Sequence, residues 1–391
     1  MSASNRRRWI FRAIAATAIG AMSLAAAACG SSSAAGPATS GSTASSDASS
    51  SGSTAPGTTA PAAGASSADA SSDSNSAPGD EKAPLTMYSG QHEPFAQALA
   101  AGFTKATGIK VTLRSGDDAE LVNQIIEEGA GSPADLYLSE EPGPVAMLDS
   151  KGLTSPIDKA ALAEVDQRLL PSTSGWLPYA ARTRVIFYNP ALISEKDLPA
   201  SVLDLTDPKW KGKFAYAPSG AFTSTVSYLI SSIGPDKTLA WLKGIKANGV
   251  NEQKNGKVRD SVEAGQHPFG LSNHYYWYVL AAQKGADKLT SKVYFFDHDD
   301  AGGLLLTSGA AVLKSSKHQA EAQEFVKWLG AADGGQQVVA GDGDAQFPVA
   351  PGVTSKSGIP ALSDLHFPTV DPTVYADTSE AKDLIIKSGI A

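Results

Sequence analysis

Residues 84–116 read PLTMYSGQHEPFAQALAAGFTKATGIKVTLRSG. PLTMYSG is a short apolar strand that ends at Gly90. PFAQALAAGFTKATG follows, with apolar residues at helical spacing and Gly108 as its stop. IKVTLRSG then alternates as a strand does. The same pattern continues. DDAELVNQIIEEGAG (117–131) predicts a helix with acids at its start, where the helix dipole favours negative charge. DLYLSE (135–140) predicts a strand and EPGPVAMLDSKG (141–152) a turn and helix. Strand, helix, strand, helix, strand predicts an open, largely parallel α/β sheet. Ligands of such sheets sit at the carboxyl ends of strands. His92, just after the first strand, and Glu140, at the end of the third, are therefore expected to face one crevice.

Further along, RTRVIFYNP (182–190) and LLLTSGAAVLK (304–314) read as strands that cross between two lobes. A second strand-to-helix unit lies in KWKGKFAYAPSGAFTSTVSYLISSIG (209–234). Its turn exposes the backbone N–H groups of Ser219, Gly220 and Ala221 at a helix start, which is either an ordinary turn or a seat for an anion. AEAQEFVKWLGAADGGQQVV (320–339) and SEAKDLIIKSGI (379–390) predict the late helices.

The amino terminus is not part of this fold. MSASNRRRWIFR holds four arginines and no acid, and AIAATAIGAMSLAAAAC behind it is apolar and too short to span a membrane. Residues 1–28 thus read as a secretory signal. The run of small residues before Cys29, the only cysteine, looks like a lipobox, with Cys29 lipidated as the mature first residue. The Arg6-Arg7 pair also faintly resembles a twin-arginine signal. Residues 29–83 then form a tether of Ser, Ala, Gly, Thr and Pro with nothing to bury. Its reach is about 40 Å. The expected location is the extracytoplasmic face of the cell membrane, held by the lipid alone.

Removing 1–28 takes the formal charge from −8 to about −12. So acidic a chain argues against nucleic acid and anionic lipid as partners. With one cysteine there is no internal disulfide, so the fold rests on its core. Residues 84–391 are long for a single core. The expected lobes are 84–184 plus about 308–350, and about 185–307 plus 351–391.

SNHYYWYVL (272–280) places Tyr275 beside Tyr276 in a chain with eleven tyrosines. Neighbours in a strand point to opposite faces and could not share a ligand. At the start of a helix they can. Ser272 or Asn273 is the expected N-cap, with a helix running to Gly285. Two readings stay open here: an aromatic cluster, or a pair of phenolates on a hard trivalent cation such as ferric iron. A tyrosine ionises near pH ~10, so two phenolates at neutral pH need a strong local cation.

The ensemble resembles the bacterial ferric-ion-binding proteins, the solute receptors of iron(III) ABC importers. YSGQHE, TGIKVTLRSGDDAELVNQIIEEG, ADLYLSEE, PKWKGKFAYAPSGAF, SNHYYWY, TSGAAVLK and EAQEFVKWL carry the resemblance across nearly all of 84–391. It implies a two-lobed periplasmic-binding-protein fold (type II, Venus-flytrap) with hinge strands between the lobes. It implies Fe(III) held by His92, Glu140, Tyr275 and Tyr276. Beside the iron it implies a synergistic anion, phosphate or carbonate, on Ser219, Gly220, Ala221, Asn255 and Asn273. Glu141 and His274 depart from the family, which has neutral amides there. The implied partners are an ABC permease and its ATPase, with ferric ion or a small ferric chelate as cargo and a monomeric receptor.

Two rival functions remain. The same fold could bind an organic solute such as a polyamine, thiamine, a phosphonate or a sugar phosphate, but such sites do not need the His-Glu-Tyr-Tyr set. A secreted iron enzyme would need groups for a substrate, and the chain has no G-x-S-x-G, H-E-x-x-H or P-loop motif. No catalytic residue is expected.

Overall fold

The computed structural model describes residues 82–391. The expected signal, Cys29 and most of the tether lie outside the described residues. The first half alternates as its sequence requires: β1 (Leu85–Ser89), α1 (Glu93–Thr107), β2 (Val111–Ser115), α2 (Asp118–Glu128), β3 (Leu136–Ser139), α3 (Pro142–Ser150) and α4 (Lys159–Leu162). Gly108 ends α1 in the left-handed region at φ 80°, its N–H donating to Thr104 O at 2.8 Å. Asp117 caps α2, accepting from the N–H groups of Ala119 and Glu120. β1 lies between β2 and β3, parallel to both.

β4 (Leu177–Tyr188) is twelve residues long and buried throughout. It is followed by β5 (Phe214–Tyr216), α5 (Ala221–Ile233), α6 (Pro235–Asn248), β6 (Val250–Asn251), α7 (Asn255–Glu263), β7 (Phe269–Asn273), α8 (Tyr275–Lys284) and β8 (Lys292–Tyr294). β9 (Leu305–Val312), α9 (Gln319–Gly330), α10 (Gly335–Ala340), β10 (Phe347–Pro348) and α11 (Ser379–Ser388) complete the chain. The strand order is β2-β1-β3-β9-β4-β7-β5-β6, with β8 and β10 also on β4.

β4 is the strand that crosses. Leu177–Thr183 pairs with β9, and Arg184–Tyr188 pairs with β7, while β8 takes Ile186–Tyr188. The sheet is parallel toward its two ends and antiparallel in the middle, where β9 and β4 run against their neighbours. The expected parallel character therefore holds only outside the crossing strands.

Two apolar cores flank the crossing. One packs Phe95, Leu99 and Phe103 of α1 against β1, β3 and Phe325 and Leu329 of α9. The other packs Phe214 and Phe269 with Trp210, Phe222, Trp241 and Leu242. Each fully buried side chain of this size stabilises the fold by about 1.5–3 kcal/mol. Ala381, Leu384, Ile385 and Ile390 join the second core, while Ile359, Leu362, Leu365 and Phe367 join the first.

Two local expectations are corrected. Ser272 and Asn273 do not cap α8; they finish β7, opposite Val185 and Arg184 of β4, and His274 takes the cap position without a side-chain cap bond. Ladder pairing overrides the capping preference there. The late helix expected over 320–339 is two helices, broken at 331–334, where an Asp-Gly-Gly run weakens helix propensity.

Candidate metal centre

His92 ends the turn after β1 and precedes α1. Its backbone N–H donates to Gln91 Oε1 at 2.9 Å. Gln91 is buried, and its amide donates to Tyr179 Oη and Ser308 Oγ. Ser308 Oγ in turn donates to the carbonyl of Glu140 at 3.0 Å. The N–H of Glu140 donates to Asp118 Oδ2 at 3.1 Å. Burial pushes the Asp118 carboxyl up to about 6, against the bonds from Tyr137 and from the backbone of Glu141 and Glu140. Both ends of Glu140's backbone are thus pinned. The outcome is a His92 Nε2 to Glu140 Oε1 distance of 3.9 Å.

The other ring nitrogen, His92 Nδ1, lies 2.5 Å from Asp344 Oδ2. That hydrogen bond raises the imidazole above its ordinary value, with burial opposing.

Tyr275 and Tyr276 open α8. Their rings stack with centroids 4.4 Å apart and planes 29° apart. Tyr275 is buried, and Asn273 Nδ2 donates to its hydroxyl at 3.4 Å. Burial drives the Tyr275 phenol well above its usual range, the Tyr276 phenol adds to this, and Arg182 opposes it. Without a cation both the burial and the neighbouring phenol hold Tyr275 neutral. A trivalent ion reverses that balance.

Two buried arginines lie near these groups. Arg182 Nη2 is 2.7 Å from Glu141 Oε1 and 3.8 Å from Glu140 Oε1. Arg182 Nε and Nη2 nonetheless have no aligned hydrogen-bond acceptor. Arg184 Nη1 donates to Asn273 Oδ1 at 2.7 Å. Burial lowers Arg184 to about 10, so it remains a cation at neutral pH. The structure therefore brings His92 to Glu140, Tyr275 to Tyr276, and Arg182 within electrostatic reach of Glu140, Glu141 and Tyr275.

Ser219 and Gly220 form the turn into α5, Gly220 with φ 58°, and Ala221 is its first residue. Asn255 opens α7 and Asn273 ends β7, both buried. Ser272 Oγ donates to Asn255 Oδ1 at 3.4 Å. Glu141 reaches the same helix start: Ser224 Oγ, in the first turn of α5, donates to its Oε2 at 3.4 Å.

Among the described residues no three His, Cys, Asp or Glu side chains group as a metal site. Imidazole and carboxylate groups alone therefore do not assemble a metal site among the described residues. Three other histidines pair with carboxylates away from this site: His267 with Glu252, His298 with Asp297 and His318 with Asp135. Asp300, in the acidic run FFDHDD (295–300), accepts from Ser201 Oγ and the N–H groups of Val202 and Gly302, a structural role.

Sequence reasoning missed Arg182, Arg184 and Asp344. The arginine spacing held a signal. Two residues apart in an apolar strand, both point to one face, and a buried arginine needs a partner. Asp344 had none, since its contact spans 252 residues.

The model of the family described as bacterial extracellular solute-binding protein matches residues 89–336. The Fe(3+)-binding periplasmic protein of Serratia marcescens is 40% identical over 307 residues, covering 78% of this chain and 90% of its own. The structure of iron-bound HitA from Pseudomonas aeruginosa superposes with a TM-score of 0.71 at 39% identity, over 79% of this chain and 99% of that one. The Trichodesmium protein IdiA (FutA), solved with iron and citrate ligands, superposes with a TM-score of 0.70 at 27% identity, over 79% and 100%.

Proposed function

The chain belongs to the bacterial extracellular solute-binding proteins, in the branch of the ferric-ion-binding proteins, and from that premise we propose that it captures Fe(III) outside the cytoplasm and delivers it to an ABC permease with its ATPase. His92 and Glu140 come from the first lobe, Tyr275 and Tyr276 from the second. Iron held by one imidazole, one carboxylate and two phenolates bridges the lobes, so binding favours a closed state by differential contact. The two phenolates and Glu140 balance the charge of the ion. Four protein ligands leave room in an octahedral shell for oxygens of an anion or chelate. The lobes meet near Arg184, with 84–184 plus about 308–350 on one side and about 185–307 plus 351–391 on the other, except that Ile359, Leu362, Leu365 and Phe367 of the last stretch pack on the first core.

Phosphate or carbonate fits beside the iron on Ser219, Gly220, Ala221, Asn255 and Asn273. The buried cations Arg182 and Arg184 support an anion nearby. Free ferric ion and a small chelate such as ferric citrate both fit as cargo. The receptor acts as a monomer without catalytic turnover, lipidated at Cys29 and tethered to the membrane by 29–83.

One observation carries this reading: a stacked phenol pair, its Tyr275 buried, within the field of Arg182, whose Nη2 also lies 3.8 Å from the carboxylate that faces His92. Crystals grown with a ferric chelate, measured at the iron absorption edge, test it. One anomalous peak among His92, Glu140, Tyr275 and Tyr276 is expected. Iron elsewhere, or an organic solute in the cleft of protein purified from its host, contradicts it.

A further inference from the structure

His92 uses its two ring nitrogens in two directions. Nδ1 meets Asp344 Oδ2 at 2.5 Å, and Nε2 faces Glu140 Oε1 at 3.9 Å. An ionised carboxylate only accepts, so the hydrogen of the first contact sits on Nδ1. In the neutral ring that leaves the Nε2 lone pair on the Glu140 side. Which imidazole nitrogen is free for a metal is set by the bond the other one makes.

We propose that Asp344 is the positioning residue of the ferric site: it holds His92 as the Nδ1–H tautomer, with Nε2 turned toward Glu140 to receive the iron. The proposal rests on the ferric reading above and adds a residue to it.

Asp344 sits in a built loop between α10 and β10. Its N–H donates to Asp342 Oδ2 at 3.2 Å, and Ala345 N donates to Asp342 O at 3.3 Å. Ser357 Oγ donates to the same carbonyl at 3.2 Å. Ala345 is buried and adopts φ 54°, a left-handed conformation that a non-glycine residue keeps only when its surroundings demand it. The demand is visible. His274 Nε2 donates to Ala345 O at 2.8 Å, and Thr183 N donates to His274 Nδ1 at 3.3 Å. His274 directly precedes Tyr275. The loop that orients one ligand is therefore fastened to the residue that leads into the phenol pair.

The side chains of His92 and Asp344 keep 43% and 34% of their exposure. A pair that open contributes little to fold stability. Loss of Asp344 should accordingly appear in metal affinity and leave stability unchanged, and this separates positioning from a structural role.

The test uses the full chain, Asp344→Ala and Asp344→Asn. Each is titrated with Fe(III) against citrate, and ¹⁵N-histidine spectra are recorded without metal at pH 8. Asp344→Ala should bind iron about 10–100-fold more weakly at an unchanged thermal midpoint. Asp344→Asn keeps an acceptor oxygen for Nδ1–H and should recover part of the loss. The parent spectra should show His92 protonated at Nδ1, and Asp344→Ala should lose that preference. Parent affinity in Asp344→Ala, or a parent His92 protonated at Nε2, overturns the proposal. A parent chain that takes up no iron overturns the ferric reading and with it the role of Asp344. That failure is distinct from one in which parent and variant bind alike.

Discussion

Arg182 Nη2 lies 2.7 Å from Glu141 Oε1 and only 1% of the arginine side chain is exposed. The guanidinium is thus a fixed cation in the floor of the cleft, and Glu141 is its nearest counter-charge. Removing one partner of a buried pair strands the other. Arg182→Met should destabilise the metal-free protein by about 3 kcal/mol, the low end for such pairs because Glu141 keeps 22% of its exposure. Urea unfolding of the two proteins side by side reads the difference, and an unchanged midpoint would show that the pair is not formed.

Glu141 also points at the start of α5, through Ser224. A carboxylate there competes with any anion for Arg182 and for the helix terminus. Glu141→Gln should therefore bind phosphate about tenfold more tightly in its iron-loaded form, a shift of roughly 1.4 kcal/mol. Calorimetric titration with phosphate at fixed ionic strength checks this. Weaker phosphate binding in the variant would place the anion away from Glu141.

Iron uptake should release protons. Tyr275 lies well above its usual range because of burial and the neighbouring phenol, so at neutral pH its proton is present before metal binds. Binding as phenolates sheds about two protons from the tyrosine pair. His92 is raised by Asp344, so below its titration it holds a further proton that iron must displace. Ferric affinity should fall as pH falls, with a slope near two per pH unit above the imidazole titration and a steeper one below it. A pH-stat record during loading counts the protons directly.

His274 is buried, and burial lowers it from 6.5 to about 4. It is neutral in the fold and gains a proton more easily when unfolded. Its contribution to stability is therefore fully present above pH 6.5 and is lost as pH falls toward 4, by about 3 kcal/mol in all. Asp118, raised to about 6, acts with the opposite sign over part of that window. Subtracting the curve of His274→Asn from that of the parent isolates the histidine. A difference that stays flat between pH 7 and 4 would contradict its buried neutral state.

The βαβ order of 84–152 was legible because its elements are local. Gly108, Asp117 and the apolar spacing of α1 each agree with the final fold. His92, Glu140 and the tyrosine pair could be singled out because strand ends and a doubled phenol are marks within the sequence. The cap of α8 was misread, though not its extent, since the β7–β4 ladder claims Ser272 and Asn273 and no local signal encodes that register. Asp344 was invisible for the same reason: its meaning comes from a histidine 252 residues away and from a loop held by His274. The polar floor of the cleft is a product of tertiary contact, whereas the elements that present the candidate ligands follow from local pattern.

The central claim is that Tyr275 and Tyr276 bind the ferric ion as phenolates, and the visible absorption spectrum tests it most directly. The chain should be titrated with a ferric chelate in the presence of phosphate, beside Tyr275→Phe and Tyr276→Phe. Phenolate-to-iron charge transfer should give a band that saturates at about one iron per chain, set by the single four-ligand site, and each substitution should shift or abolish it. A folded chain that develops no band, or a band indifferent to both substitutions, would contradict the claim and leave the stacked tyrosines as the wall of an organic-solute pocket.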